Sequence, residues 1–269
     1  MIRLSDSLLP SDTQAGLDGL QKEITNLKTY KQQVQKAKDL FSRRNNKHDT
    51  IFKVVRRELE KMCTGPRRCA YCEDSAADEV EHFKPKDLYP EMVFVWLNYL
   101  YACGPCNGPK NNQFGVFSQA TGLVIDITRK RNDPIVPPEP GNTVLIDPRS
   151  ENPLDFLQLD LLNTFYFIPV GKLGTEKYQR GNYTIKLLRL NEREYLRVAR
   201  QNAYESFVAL LEKYTYKQKN GSTQPELDRI KRTIQRMSHQ TVWQEMKRRH
   251  LVMPELKALF TKAHEALNW

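Results

Sequence analysis

Four of the five cysteines fall in two pairs, Cys69/Cys72 and Cys103/Cys106, with two residues inside each pair. A C-x-x-C turn lets both sulfurs face one ion, and two such turns supply the four thiolates of a closed tetrahedral zinc site. The interval from Cys72 to Cys103 is longer than in a compact zinc ribbon, so something is inserted between the two knuckles. That insert contains Glu81, His82 and Asn98, and Asn107 directly follows the second knuckle. A carboxylate, an imidazole and two carboxamides beside a structural zinc make a candidate for a second, catalytic metal site. The fifth cysteine, Cys63, has nothing near it that would activate a thiol, and is expected to pack as a small buried residue.

Short elements must hold these groups. Residues 79–83 read as a strand that Lys84-Pro85-Lys86 ends, because proline resists a continuing ladder. Residues 98–102 read as a second strand, and a short helix should begin near Asn107. Tyr89, Phe94 and Trp96 in the connecting loop are expected to form the core of this small unit. Upstream, Leu17, Leu20, Ile24, Leu27 and Tyr30 recur at three- and four-residue steps and predict one helix over 14–44. A second helix is predicted over 49–62, with Thr64-Gly65-Pro66 breaking it. Downstream, strand-like runs occupy 122–127, 143–147 and 161–170. From Glu176 the pattern is helical. Asn191 is expected to cap a helix, with Glu194 three residues later. Further helices are predicted over about 225–250 and from Pro254 to about 267. His239, His250 and His264 lack acid or cysteine partners at ligand spacing and read as ordinary helix residues.

The chain of 269 residues is long enough for a sizeable core. The hydrophobic fraction is 39% and the mean hydropathy −0.65, as expected of a helix-rich protein with much charged surface. No apolar run approaches a membrane span, and the N-terminus lacks the apolar centre of a signal peptide. A cytoplasmic protein with reduced cysteines is therefore expected, which favours zinc over disulfides. The net charge is +10; residues 171–269 hold 20 Lys/Arg against 10 Asp/Glu, whereas the rest of the chain balances. The whole excess thus lies in the C-terminal part, where Lys247, Arg248 and Arg249 are candidate contacts for nucleic-acid phosphates.

At Cys69/Cys72, Glu81-His82, Asn98 and Cys103/Cys106-Asn107 the chain resembles the zinc-stapled branch of the HNH, or ββα-metal, endonucleases. The acid before the histidine is more often Asp in that family; here it is Glu81. The resemblance, which covers roughly a fifth of the chain, together with the helical periodicity on either side gives an expected fold that is α+β and predominantly helical. A small ββα-metal module with a double zinc knuckle (64–117) would be flanked by an N-terminal helical arm (1–63) and a mixed, then helical, basic C-terminal region (118–269). It also implies a metal-dependent phosphodiesterase acting on nucleic acid, with DNA favoured over RNA. Structural Zn²⁺ would sit on the four cysteines. His82 would be the general base, Asn98 would orient it, and Glu81 with Asn107 would hold catalytic Mg²⁺ or Mn²⁺. Lys110 is a minor candidate for steadying a phosphate. The stretches 145–148, 180–185 and 190–191 are similar, more loosely, to the tail of HNH subunits in bacterial Septu-type and retron-linked defence systems. That similarity implies a phage-defence role beside an ABC-like ATPase subunit. Two alternatives stay open: a nuclease that cuts RNA such as tRNA, and a catalytically inactive zinc-stapled adaptor.

Overall fold

Leu17, Leu20 and Ile24 form one buried stripe on α1 (Ser11–Thr25), and Val34, Ala37, Leu40 and Phe41 form another on α2 (Tyr30–Arg44). The computed structural model describes residues 1–269. It divides the single helix expected over 14–44. Thr29 starts a new helix, its hydroxyl accepting from Gln32 N while the Gln32 side chain accepts from Thr29 N. This reciprocal cap fixes a helix start where hydrophobic periodicity alone runs straight through. Asp49 accepts from Phe52 N and opens α3 (Thr50–Met62), which buries Phe52, Val55, Leu59 and Met62.

The central unit is a strand pair and a helix. Strands β1 (Glu79–His82) and β2 (Tyr99–Ala102) are antiparallel, with Glu81 opposite Leu100 and His82 opposite Tyr99. Helix α4 (Gly104–Lys110) starts at once from Cys103. Next come β3 (Gly115–Ser118), β4 (Val124–Asp126) and β5 (Gly141–Thr143), an antiparallel sheet with β3 in the middle. The strand expected over 143–147 therefore lies earlier. A Cβ on Gly141 would collide with the Phe117 carbonyl, so the close approach of β5 to β3 depends on this glycine. Beyond it, Ile146 N bonds the Thr184 hydroxyl rather than a ladder partner.

Strands β6 (Leu157–Leu159) and β7 (Phe167–Pro169) form a hairpin. The rest is helical: α5 (Glu176–Leu187), α6 (Glu194–Lys219), α7 (Gln224–Arg236), α8 (Gln240–Arg249) and α9 (Pro254–Lys262), ending in a 3₁₀ turn at His264–Asn268. Asn191 caps no helix. Both ends of its carboxamide bond the Phe167 backbone, at 2.9 and 2.8 Å, and tie the hairpin to the α5–α6 turn. The helix expected over 225–250 is two helices, because His239 takes a left-handed conformation (φ 58°). The Gln240 side chain then donates to the Ile234 and Met237 carbonyls, satisfying the end of α7.

The architecture is thus α+β and predominantly helical. One connected cluster of 61 buried apolar residues includes Leu17, Phe52, Leu100, Leu188, Phe207 and Phe260. The core therefore runs through both expected boundaries, 63/64 and 117/118. Cys63 is half-buried and donates to the Leu59 carbonyl, and burial pushes its thiol up to about 12. Tyr89, Phe94 and Trp96 pack into the core as expected, Phe94 and Trp96 fully. No helix is long and apolar enough to cross a membrane.

Candidate metal and phosphodiester site

The four paired cysteines converge. Their sulfurs lie within 4.8 Å of one another, all four side chains are buried, and Cys72 Sγ is 3.8 Å from Cys103 Sγ. Metal–sulfur bonds of about 2.3 Å in a regular tetrahedron put sulfurs about 3.8 Å apart. The set is therefore placed to hold a metal ion such as zinc. Cys103 and Cys106 frame the first turn of α4, while Cys69 and Cys72 sit on a turn closed by Glu73 (φ 61°). Polar hydrogens approach the sulfurs as well: Tyr71 N lies 3.4 Å from Cys69 Sγ, and Arg193 Nη2 lies 3.2 Å from Cys106 Sγ. Such donors favour the thiolate form that a metal needs, and Arg193 is a participant the cysteine spacing does not reveal. Burial pushes the Cys69 thiol well above its ordinary range.

The same turn is anchored from far along the chain. The Glu73 carboxylate is buried, accepts from Thr241 N at 3.2 Å and from the Thr241 hydroxyl, and pairs with the N-terminal ammonium at 2.7 Å. His239 Nε2 lies 3.3 Å from Asp74 Oδ1. The left-handed residue at the head of α8 thus serves to dock that helix on the first knuckle.

His82 is 4% exposed and packs edge-on against Phe41 (4.4 Å between ring centres) and Tyr99 (5.2 Å). Its Nε2 is 2.9 Å from the Val93 carbonyl oxygen. A carbonyl oxygen only accepts, so Nε2 carries the proton and Nδ1 keeps its lone pair. Burial lowers the His82 pKa to about 3. The charges of Lys86 and Lys110 act in the same direction, and the Val93 bond opposes them. The imidazole is therefore neutral over the whole physiological range.

Asn98 does not touch the His82 ring. Its Oδ1 accepts from Lys84 N (2.8 Å), and its Nδ2 donates to the Lys84 (3.1 Å) and Met92 (2.9 Å) carbonyls. The direct orienting bond expected of it is replaced by an indirect one. Asn98 pins both ends of the loop that presents the Val93 carbonyl.

Lys110 is not an exposed phosphate contact. It is fully buried, donates to the His82 carbonyl oxygen at 2.8 Å and lies 2.5 Å from Glu81 Oε1. Burial pushes the Glu81 pKa up, with Lys110 holding it back, and burial lowers Lys110. Glu81 is thus an ion-paired carboxylate at the floor of the site. Asn107 is half-buried, and its Nδ2 donates to Glu79 Oε2 at 2.6 Å. Glu79 was not expected at the site. The two-residue period of a strand places it on the face of β1 that carries Glu81, and that signal was legible.

Glu79, Glu81, His82, Asn107, Lys86 and Arg56 line a cleft of about 520 Å³. The structure thus brings His82, Glu81 and Asn107 to one opening, with Asn98 and Lys110 behind it. Lys247, Arg248 and Arg249 lie elsewhere, on α8. Lys247 Nζ donates to the Trp269 carbonyl (2.6 Å), Arg248 to the Leu154 carbonyl (2.9 Å), and Arg249 to Glu245 (3.0 Å).

A 48-residue stretch of the chain is 50% identical to the Septu protein PtuB of Bacillus thuringiensis, covering 16% of this chain. The match spans 19% of that relative's length. No protein-family model and no solved structure matches the chain.

Proposed function

We propose that the chain is a metal-dependent nuclease of the HNH type that hydrolyses phosphodiester bonds, with DNA the favoured substrate, and that it acts in bacterial anti-phage defence. The observation that carries the chemistry is His82: a neutral imidazole whose proton sits on Nε2, with Nδ1 free, at a cleft also lined by the carboxylates of Glu79 and Glu81 and the carboxamide of Asn107. A water in the cleft gives its proton to Nδ1 as its oxygen attacks phosphorus in line. The P–O3′ bond breaks, leaving a 5′ phosphate and a 3′ hydroxyl protonated by solvent. The Nε2–H···O=C bond to Val93 holds the ring through this transfer and favours the imidazolium that forms. A phosphodiester anion beside the ring raises its pKa from about 3 toward neutrality, as any nearby negative charge does. Glu81 and Asn107 are the side chains that would hold Mg²⁺ or Mn²⁺, which supplies positive charge for the phosphate and the departing oxygen. Their oxygen donors suit a hard cation. The four cysteines would hold one structural Zn²⁺, and so fix the start of α4 and with it Asn107.

The defence role rests on the Septu relative together with the looser similarity in the C-terminal part. An ABC-like ATPase subunit is the partner that similarity implies. One observation favours a second reading. Glu81 is already neutralised by Lys110, as suits a zinc-stapled adaptor that cleaves nothing. One experiment separates the two. Wild-type and His82→Ala protein, each with and without the neighbouring gene's product, are incubated with DNA and RNA in Mg²⁺ or Mn²⁺. The nuclease reading expects cleavage that falls about 10²–10⁴-fold in the variant, with nucleic-acid binding kept. No cleavage by any wild-type mixture, or equal cleavage by the variant, leaves the adaptor. Products from RNA alone make RNA the substrate.

A further inference from the structure

A second opening of about 540 Å³ adjoins the cleft at His82, and the two share the lip Gly108, Asn111 and Asn112. Its far wall is the loop after β4, which carries Lys130 and Arg131. Three sets of bonds hold that loop in place. Asp126 accepts from Thr128 N (2.8 Å), and Asp133 accepts from Lys130 N (2.7 Å). The Arg129 guanidinium bonds the Asp87 and Val136 carbonyls and the Tyr30 hydroxyl, fastening the loop to α2. The carboxylates of this opening are occupied. Asp87 takes Lys38 Nζ at 2.9 Å and Asn112 Nδ2 at 2.6 Å, and Asp133 is spent on its own turn. Lys130 and Arg131 are exposed and their side chains pair with no acid; at the first cleft Lys86 also lacks a carboxylate, lying over the Phe41 ring.

We propose that these joined openings are a track for the nucleic-acid backbone, entering at Lys86 beside His82 and leaving over Asn111 and Asn112 to Lys130 and Arg131. Held, unpaired cations release counterions from phosphates without first breaking an ion pair. By contrast, Lys247, Arg248 and Arg249 are engaged within the chain, so sequence charge alone points to the wrong end of the molecule. The track rests on the nuclease reading, and binding tests it separately from cleavage.

The test uses full-length His82→Ala protein and the anisotropy of a labelled single strand and duplex across a salt series. In that background K130A/R131A should weaken binding and flatten the slope of log K against log salt by about 1.4 on a single strand and about 1.8 on a duplex. The control K213A/K219A removes two exposed cations from α6, equal in charge but in the lining of neither opening, and should leave the slope unchanged. Equal losses from both pairs would mean that net charge alone acts and would overturn the track. So would an unchanged slope in K130A/R131A, or no binding by the parent protein. If wild-type protein fails to cleave while the track variants behave as expected, the nuclease reading falls and the track stands.

Discussion

Acidification from pH 7.5 to 5.5 should destabilise the fold through His82 by an amount the structure sets. The ring titrates near 6.5 in an unfolded chain and at about 3 when folded, because burial between Phe41 and Tyr99 penalises its charged form. A group whose folded pKa lies below its unfolded one binds fewer protons in the native state, so stability falls as pH drops through 6.5 toward 3. Over the stated window the linkage amounts to about 1.4 kcal/mol, of which about 1.0 kcal/mol is lost below pH 6.5. His82→Gln supplies the control, since its amide can still donate to the Val93 carbonyl but cannot titrate. The assay is urea unfolding of both proteins at pH 7.5, 6.5 and 5.5, without added divalent cation. Other groups titrate equally in both, so the difference between the two stability curves isolates His82. The wild-type curve should drop about 1.4 kcal/mol more than that of the variant. Parallel curves would show that the ring titrates normally when folded, and would refute the buried, neutral base on which the proposed chemistry rests.

Two further outcomes are expected. Cys103→Ser should release the bound ion, read as less than one zinc per chain by elemental analysis, and melt the central unit, because the metal's binding energy there is also folding energy. Asn98→Ala should lower stability by about 2–4 kcal/mol in urea unfolding, since it strips partners from Lys84 N and from the Lys84 and Met92 carbonyls. A loss below about 0.5 kcal/mol would mean that water replaces all three bonds.

Much of the central unit was legible because its constraints are local. The two C-x-x-C turns and the strands around His82 follow from spacing and from proline's effect on a ladder; the short helix expected to begin near Asn107 starts earlier, at Gly104. What stayed hidden depended on partners distant in sequence. Nothing around Lys110 marks it as buried, and its carboxylate partner Glu81 lies on a different element. Asn98 was assigned to the ring, yet its bonds go to the backbone of the intervening loop, a choice that only three-dimensional closure decides. The break at His239 has no glycine or proline to announce it, because docking on Asp74 and the Gln240 cap stabilise it. The break at Thr29 was legible through its reciprocal cap with Gln32, but the apolar period masked it. Net charge does not reveal that Lys247, Arg248 and Arg249 are bonded within the chain, because it counts cations without regard to their partners.

The bond between Glu73 and Thr241 also orders events in time. Synthesis of both cysteine pairs is complete at Cys106, whereas Thr241 is added 135 residues later. At about 5–20 residues per second that interval is about 7–27 s. For that time the first knuckle can take up its ion while Glu73 still faces water and α8 does not yet exist. Any metal capture by the two knuckles in the nascent chain would then come before the docking that buries the first knuckle's turn. If the cysteines hold zinc, a cell short of it during those seconds would make chains whose C-terminal helices arrive at a surface that has not formed.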